Sequence, residues 1–265
     1  MIPKIIHYVW VGPNPETPLV KNCIESWKKW CPDYKIVKWG NESLIGLKNT
    51  YIEEAVECRK WAFVSDYLRL KALKEQGGFY FDSDLLLTNS IDEFRKYKFV
   101  TGYENYHGSI APFTALLGAE KNNSIINDLF KEYDDIKFIV NGKMDTTTNV
   151  YRMQLYLNSN YGLKPENYDE SSTFWIDDQS PIFPSHFFCT PIEGKENYSI
   201  HLFNGSWLDS FTRREVLKFG PFKVVGFRKF SEQNKSYPLF QGEKVVIDLP
   251  YPNKKRLCLI WKKKK

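Results

Sequence analysis

Residues 75–87 read Glu75-Gln76-Gly77-Gly78-Phe79-Tyr80-Phe81-Asp82-Ser83-Asp84-Leu85-Leu86-Leu87. The glycine pair is typical of a helix end. The apolar residues after it predict a strand with Asp82 and Asp84 on the face of Tyr80, and with Phe79 and Phe81 on the opposite face. Two carboxylates this close in an apolar setting repel each other and lose hydration, and a divalent cation relieves both costs. The alternative is that the strand has ended and the aspartates lie in a solvated turn.

The segments before this stretch predict an α/β fold. Residues 4–11 are β-branched and aromatic and run into the breaker Gly12-Pro13, which is typical of a strand followed by a loop. Residues 19–30 carry apolar side chains at helical spacing, and residues 34–39 predict a second strand. This order favours a parallel sheet with a binding crevice at the carboxyl ends of its strands.

The segments after it continue the alternation. Strands are predicted over residues 98–103, 114–119 and 173–182, and a helix runs from about residue 123 to 134. The polar stretch 141–149 precedes another helix and either carries contacts to a ligand or is only a surface connection. The chain has no internal repeat and no low-complexity linker, so we predict a single domain over residues 1–265.

The helix predicted over residues 59–76 carries a charged pair on an otherwise apolar face. Asp66 and Arg69 lie three residues apart, on the stripe that also holds Ala62 and Leu73. One explanation is a mutually paired aspartate and arginine within the core. The other is a pair that points into a crevice beside the aspartate-containing strand, because the helix leads directly into that strand and must pack beside it.

Composition excludes several classes of protein. The 265 residues are 42% hydrophobic, which suits a folded core, and the net charge of +5 comes without a basic motif for nucleic acid. Five scattered cysteines without a C-x-x-C pair argue against a disulfide framework or a structural zinc site. No apolar run approaches the roughly 18 residues of a membrane span, and the chain opens without a signal peptide, so we expect a cytoplasmic protein.

The carboxyl-terminal segment combines apolar and aromatic residues with a run of lysines. Residues 257–261 read Leu-Cys-Leu-Ile-Trp, and four lysines follow them. This pattern is typical of an interfacial anchor, which would place the protein peripherally on anionic lipid at the inner face of the membrane. The alternative is an edge strand with a solvated lysine end.

A late segment, residues 199–207, places His201 at the end of a short strand, before a turn that contains glycine. A neutral imidazole is a candidate metal ligand. With Asp82 and Asp84 it would complete a set of two oxygens and one nitrogen that suits Mn²⁺ or Mg²⁺, and manganese tolerates the imidazole better. The alternative is a histidine that is simply satisfied in the core or at the surface.

The ordered combination of these segments resembles the DXD-containing sugar transferases of glycosyltransferase family 32. That group includes capsular polysaccharide enzymes and is related to the glucosylating clostridial toxins. The resemblance rests on residues 2–12, on Ser65 to Arg69, on the stretch that ends at Asp84, and on residues 201–207. It implies a GT-A fold, that is, a Rossmann-like mixed sheet flanked by helices, with irregular additions on the acceptor side.

The resemblance also divides the single domain by function. It implies a nucleotide-sugar-binding half over about residues 1–120, an acceptor-side half over about 121–240 and a basic tail over 241–265. The donor would be a nucleotide sugar, usually a UDP-sugar, and the acceptor a glycan or a lipid-linked saccharide. Transfer would depend on manganese or magnesium and retain the configuration at the anomeric carbon.

Individual residues take roles from the same resemblance. Trp10 would lie near the donor base, although plain core is its alternative. Four residues would contact the ribose or the donor sugar: Asp66, Arg69, Tyr80 and Asp82. The metal would be bound by Asp84, Asp82 and His201, of which His201 is the ligand that differs among relatives. Ser206 and Trp207 would close over the diphosphate. Asp82 and Asp84 are the predicted catalytic residues.

The stereochemistry of transfer stays open at this point. An inverting enzyme needs a carboxylate base opposite the leaving group, and the candidates are Glu104, Asp145, Asp177 and Asp178. A retaining enzyme can use the leaving phosphate itself to take the proton of the acceptor, as the family is thought to do.

Two other classes of protein compete with the transferase. Phosphohydrolases and phosphotransferases of the haloacid dehalogenase type also place D-x-D at the end of an apolar strand. Their sequence pattern requires Thr or Val two residues after the second aspartate, where this chain has Leu86. The second competitor is a carbohydrate-binding module in which aromatic side chains stack on sugars and the carboxylates hold calcium.

Overall fold

The computed structural model describes residues 1–106, 109–203, 213–219, 222–227, 243–251 and 255–262. Two compact units divide the chain, Met1–Asn204 and Gly205–Lys265. The single domain expected from the sequence stays a prediction. The assignment of about 1–120 to the donor and about 121–240 to the acceptor stays a prediction.

The first unit alternates helices and strands. Its helices are α1 Pro18–Trp30, α2 Thr50–Glu57, α3 Trp61–Gln76, α4 Ser124–Asp135, α5 Asn149–Tyr161 and α6 Ser185–Phe188. Its strands are β1 Ile5–Val9, β2 Lys35–Trp39, β3 Gly78–Phe81, β4 Leu85–Leu87, β5 Phe99–Tyr106, β6 Ser109–Pro112, β7 Leu116–Ala119, β8 Ile139–Val140, β9 Lys143–Met144, β10 Phe174–Trp175, β11 Pro181–Phe183 and β12 Ser199–His201.

A mixed sheet forms the centre of this unit. Its strands follow the order β10-β11-β5-β7-β3-β1-β2, and β6 pairs with β5 outside that path. β1 is parallel to both β2 and β3, whereas β7 is antiparallel to β3. The predicted α/β class, with a mixed sheet flanked by helices, is confirmed.

The sheet separates two hydrophobic clusters. Tyr80 belongs to the cluster that contains buried residues of α2, α3, α4 and α5. Phe79 and Phe81 belong to the other, together with Trp27 of α1. The alternation predicted for β3 is therefore confirmed, and both faces of this strand are buried.

Local sequence explains where the helices begin. Thr17, Asn123 and Thr148 each accept a hydrogen bond from a backbone N–H in the first turn of α1, α4 and α5. Such side chains satisfy amide groups that the first helical turn leaves unpaired. The helices therefore start close to the predicted positions.

The prediction that Asp82 and Asp84 lie within one continuous strand is wrong. β3 ends at Phe81, the three residues 82–84 form a turn, and the N–H of Leu85 donates to the carbonyl oxygen of Asp82 at 3.0 Å. β4 then pairs with β12 in a separate two-stranded sheet, so the turn carries the chain from one sheet to the other. The side chains of the two aspartates are only 27% and 15% exposed, so the turn is not a solvated one either.

The single strand predicted over residues 173–182 is also wrong. The segment forms a hairpin of β10 and β11, with Asp177 and Asp178 in its turn. The Asp177 carboxylate accepts the N–H of Gln179 at 2.8 Å, a local bond of the kind that favours turns. The sequence pattern did not indicate this hydrogen bond, which favours a turn over a continuous strand.

The second unit is a four-stranded antiparallel sheet. Its strands are β13 Arg213–Phe219, β14 Phe222–Phe227, β15 Glu243–Tyr251 and β16 Lys255–Lys262, in the order β13-β14-β16-β15. The interpretation of the last segment as an edge strand is wrong, because β16 pairs with β14 on one side and β15 on the other. The membrane contact of this segment stays a prediction. Among the described residues, no helix has the length and apolar character needed to cross a membrane.

Candidate active site

Two elements that are far apart in sequence bring Asp82, Asp84 and His201 together. The aspartates lie in the turn after β3. His201 ends β12, directly opposite Leu85 of β4. One ligand atom of each of the three residues lies within 4.8 Å of the others, and His201 Nε2 is 3.3 Å from Asp84 Oδ1. The three predicted metal ligands therefore occupy one place, and their role as ligands stays a prediction.

The chemistry of this cluster fits a divalent cation. Two carboxylates and an imidazole form a donor set that manganese accepts readily. The Nδ1 atom of His201 is buried and has no hydrogen-bond partner among the described residues. Burial opposes a charged imidazole, but the hydrogen bond to Asp84 and the nearby carboxylate charges prevail and raise the pKa of His201 to about 10. A metal that binds Nε2 must therefore displace a proton.

Arg69 connects the charged pair on α3 to this cluster. One terminal nitrogen, Nη2, is 3.0 Å from Asp66 Oδ1 and 3.2 Å from Asp82 Oδ1. The other, Nη1, donates to the carbonyl oxygen of Thr114 at 2.9 Å. The Arg69 side chain is only 7% exposed. The pair is therefore mutually paired and buried, as the first explanation expected, and it also adjoins the aspartate turn. That it points into a binding crevice stays a prediction.

Tyr80 acts on the same oxygen of Asp82. Its hydroxyl donates to Asp82 Oδ1 at 2.6 Å and lies 3.1 Å from the hydroxyl oxygen of Ser65. The Arg69 guanidinium lies 4.6 Å from the centre of the Tyr80 ring. Tyr80 is 1% exposed, so in this structure its hydroxyl orients Asp82. Its predicted contact with the donor is untested.

Asp66 is held from the other side by Asn149, which the sequence reasoning did not single out. The backbone N–H of Asn149 donates to Asp66 Oδ2 at 3.1 Å, and its side-chain Nδ2 donates to the Asp66 carbonyl oxygen at 2.8 Å. Burial raises the pKa of Asp66 to about 6, although the Arg69 charge opposes this rise. The sequence feature that could have pointed to Asn149 is the capping residue Thr148, because it places Asn149 in the first turn of α5.

Of the four candidate bases, Glu104 has a pKa that depends on the charges of two residues of the cluster. Burial raises the pKa of Glu104 to about 7, and the charges of His201 and Asp82 act on it in opposite directions. Asp145 instead pairs with Arg152 at 3.0 Å. Asp177 and Asp178 lie in the turn between β10 and β11.

Three further residues are predicted to contact the donor: Trp10, Ser206 and Trp207. Trp10 directly follows β1, is half-buried and packs against the hydrophobic cluster that includes Trp27. Its indole N–H donates to the carbonyl oxygen of Asn14 at 2.9 Å. Ser206 and Trp207 lie outside the described residues.

Comparison with known families concerns the segment that carries most of this site. Residues 17–100 match the family described as the glycosyltransferase sugar-binding region containing DXD motif. The matched segment includes Asp66, Arg69, Asp82 and Asp84, whereas His201 and Asn149 lie beyond it. The predicted resemblance to DXD sugar transferases is confirmed over this segment.

Individual glycosyltransferases are similar over parts of the chain. An uncharacterized glycosyltransferase of Acanthamoeba polyphaga mimivirus is 26% identical over 144 residues, which cover 49% of this chain and 55% of the relative. The chain thus spans about half the length of the curated relative that it matches.

Solved structures of glycosyltransferases are similar as well. The PaToxG glycosyltransferase matches with a TM-score of 0.41 and 24% identity, over 49% of this chain and 59% of that one. A glycosyltransferase involved in glycosylation of the major capsid of PBCV-1 matches with a TM-score of 0.43 and 14% identity, over 77% of this chain and 94% of the other.

Proposed function

We propose that this protein is a metal-dependent glycosyltransferase that moves a sugar from a UDP-sugar to a glycan or a lipid-linked saccharide. The observation that carries the proposal is the cluster of Asp82, Asp84 and His201, with ligand atoms within 4.8 Å of one another. The cluster lies at the end of β3 beside Arg69, within or next to the matched segment. A polysaccharide precursor of the capsular type belongs to the same acceptor class.

The residues in and around the cluster have different proposed roles in donor binding. Asp84, Asp82 and His201 would hold Mn²⁺ or Mg²⁺, which supplies charge neutralisation for the diphosphate leaving group. Arg69 and Tyr80 hold one oxygen of Asp82, which fixes the orientation of this carboxylate before any ligand binds. Trp10, Ser206 and Trp207 remain proposed contacts of the base and the diphosphate.

We propose transfer with retention. In this reaction the bond from the acceptor oxygen to the anomeric carbon forms on the face from which the phosphate oxygen departs. The acceptor proton passes to that phosphate oxygen. An inverting reaction is the alternative, and the buried carboxylate of Glu104 favours it as a base. The anomeric configuration of the product, measured by NMR, distinguishes the two.

The first experiment is a calorimetric titration of UDP with and without Mn²⁺. We expect UDP binding that requires the metal, and its loss in Asp84→Ala with the fold intact. Asp135→Ala is the matched control, because Asp135 is exposed at the end of α4. Metal-independent UDP binding, or none, would contradict the proposal. A screen of UDP-sugars for manganese-dependent hydrolysis then identifies the donor.

The same samples test the two competing classes. A phosphohydrolase would release phosphate from phosphomonoesters without any need for UDP. A carbohydrate-binding module would bind saccharides with calcium and turn nothing over. Either pattern, in the absence of metal-dependent UDP binding, would replace the transferase proposal.

We also propose a cytoplasmic location with peripheral contact between the carboxyl-terminal segment and anionic membrane. The support is the run of lysines at the end of the chain, next to Trp261. Replacement of Lys263, Lys264 and Lys265 by glutamine changes charge while leaving the residues of β16 in place. Reduced co-sedimentation with vesicles of phosphatidylserine is expected, and unchanged co-sedimentation would remove the membrane from the proposal.

A further inference from the structure

Asn149, in the first turn of α5, is hydrogen-bonded to Asp66 of α3. Asn149 is 5% exposed, and it contacts Asp66 through both its backbone and its side chain. Its other side-chain polar atom, Oδ1, accepts a hydrogen bond from the hydroxyl of Tyr133 at 2.7 Å. Backbone N–H, side-chain Nδ2 and side-chain Oδ1 therefore each have a partner, which fixes the rotamer of Asn149.

These bonds continue without a break into the aspartate turn. Asp66 Oδ2 takes the Asn149 N–H, and Asp66 Oδ1 takes Arg69 Nη2. The same Nη2 contacts Asp82 Oδ1 at 3.2 Å. Asn149, Asp66 and Arg69 are buried and Asp82 is partly buried, so a displaced member of the series would leave a charge without its partner.

We propose that Asn149 is a positioning residue for Asp82. By holding Asp66 at two points, it keeps the Arg69 guanidinium against Asp82 Oδ1 and directs the second carboxylate oxygen of Asp82 toward the donor site. The identity of the bound donor rests on the proposed function above. The coupling between Asn149 and Asp82 is a property of the protein itself.

The isosteric variant Asn149→Asp tests this role most sharply. It keeps the backbone N–H and the acceptor for Tyr133, but it turns the donor that faces the Asp66 carbonyl oxygen into an acceptor. Asn160→Asp is the matched control on the same helix, because Asn160 Nδ2 donates to the Tyr156 carbonyl oxygen at 2.9 Å, away from Asp66. An effect on helix stability alone would slightly stabilise Asn149→Asp, at the first residue of α5, and slightly destabilise Asn160→Asp, in its last turn.

The kinetic readout is manganese-dependent hydrolysis of the UDP-sugar identified in the screen. In Asn149→Asp we expect kcat to fall about 10- to 100-fold, the range for lost second-sphere hydrogen bonds. The KM for the donor should change less, since Asp84 and His201 do not depend on the series. Asn160→Asp should leave both constants near wild type. Equal effects of the two variants, or a change in KM alone, would overturn the proposal.

A second readout does not require activity. Urea midpoints of Asn149→Ala, Asp82→Asn and the double variant form a cycle, in which groups that act as one network show shifts that do not sum. Additive shifts would overturn the positioning role. If wild type neither binds nor hydrolyses UDP-sugars, the proposed function fails while this cycle still decides the coupling. Should Asn149→Ala not fold, Tyr133→Phe replaces it in the cycle, because it removes only the hydroxyl that fixes Asn149.

Discussion

The charges of the candidate site alternate in sign. Arg69 lies between Asp66 and Asp82, and His201 lies beside Asp84. Buried charges are tolerated only when they are paired and their remaining hydrogen-bonding capacity is used. Arg69 meets this requirement because its planar, forked group reaches both carboxylates and a carbonyl oxygen at once.

Arg69→Lys should therefore weaken both stability and turnover. A lysine has a single compact charge and cannot reproduce the contacts of both Nη1 and Nη2. We expect a loss of about 1–3 kcal/mol in the free energy of unfolding, the cost of leaving buried polar groups unpaired. Urea denaturation measures this loss. The matched control is Arg95→Lys, since Arg95 is more exposed and its nearest ion-pair distance, to Asp92, is 3.8 Å. Equal losses would contradict the argument.

His7 makes the stability of the protein depend on pH. Its Nε2 lies 2.8 Å from the Gly77 carbonyl oxygen, and its Nδ1 accepts the indole N–H of Trp39 at 3.1 Å. An imidazole that accepts at Nδ1 and donates at Nε2 is neutral. Burial lowers the pKa of His7 from 6.5 to about 4, and the bond to Gly77 only partly opposes this.

The sign follows from where the proton binds. Between about pH 6.5 and 4 the His7 imidazole binds a proton in the unfolded chain but not in the folded protein. The free energy of unfolding is therefore highest above this window and falls as the pH drops through it. The loss reaches about 3 kcal/mol at the lower end. We expect His7→Gln to flatten this dependence in urea denaturation at a series of pH values. His186→Gln should leave the contribution of His7 in place, and an unchanged slope in His7→Gln would contradict the assignment.

At the scale of elements, the connection from α3 to β3 requires glycine. Gly77 has φ +66° and ψ −166°, a conformation in which other residues are strained. A Cβ atom there would lie 2.6 Å from the backbone nitrogen of Lys121. The glycine pair recognised in the sequence thus turns the chain sharply into the strand that ends at Asp82.

Gly77→Ala should destabilise the protein more than Gly162→Ala. Both glycines follow a helix at φ +66°, but a Cβ at Gly162 would meet nothing within 4 Å. At Gly162 the ψ angle is 12°, and this left-handed conformation costs an alanine about 1–2 kcal/mol. At Gly77 the ψ angle is −166°, in a region that essentially only glycine adopts, and the clash with Lys121 adds to that strain. Thermal or urea unfolding measures the difference. Similar losses in the two variants would show that the backbone contact with Lys121 relaxes without cost.

At the scale of the whole molecule, each of the two compact units is built around its own main sheet. The mixed sheet of Met1–Asn204 has a hydrophobic cluster on each face. The antiparallel sheet of Gly205–Lys265 depends on β16, which supplies pairing partners to both β14 and β15. The segment predicted as a basic tail, residues 241–265, thus contains the edge strand β15 and the inner strand β16.

Deletion of residues 255–265 should unfold the second sheet and leave the first unit folded. Without β16, β15 loses its only recorded partner in the described sheet, and an isolated pair such as β13–β14 is marginal in water. We expect protease cleavage within residues 205–251 and a preserved unfolding transition for the first unit. Deletion of residues 263–265 alone is the control and should leave the digestion pattern unchanged. Resistance of the longer deletion to proteolysis would contradict the role of β16.

The sequence by itself determined the elements with strong local signals. Helices α1 and α3 and strands β1 and β2 lie within about two residues of their predicted bounds, because periodic apolar residues and Gly-Pro or Gly-Gly breakers act over a few residues. It also identified Asp66, Arg69, Asp82, Asp84 and His201, because charged or metal-binding side chains interrupt apolar segments there.

Only the tertiary structure decided how those residues meet. The turn at residues 82–84 exists because the chain leaves the pairing with β7 and joins β12, a strand more than 110 residues later in the sequence. Asn149 was missed for the same reason, since its partner Asp66 lies 83 residues away. Hydrogen bonds between distant segments follow no local period, so burial and pairing across the fold, rather than any sequence pattern, set the geometry of this site.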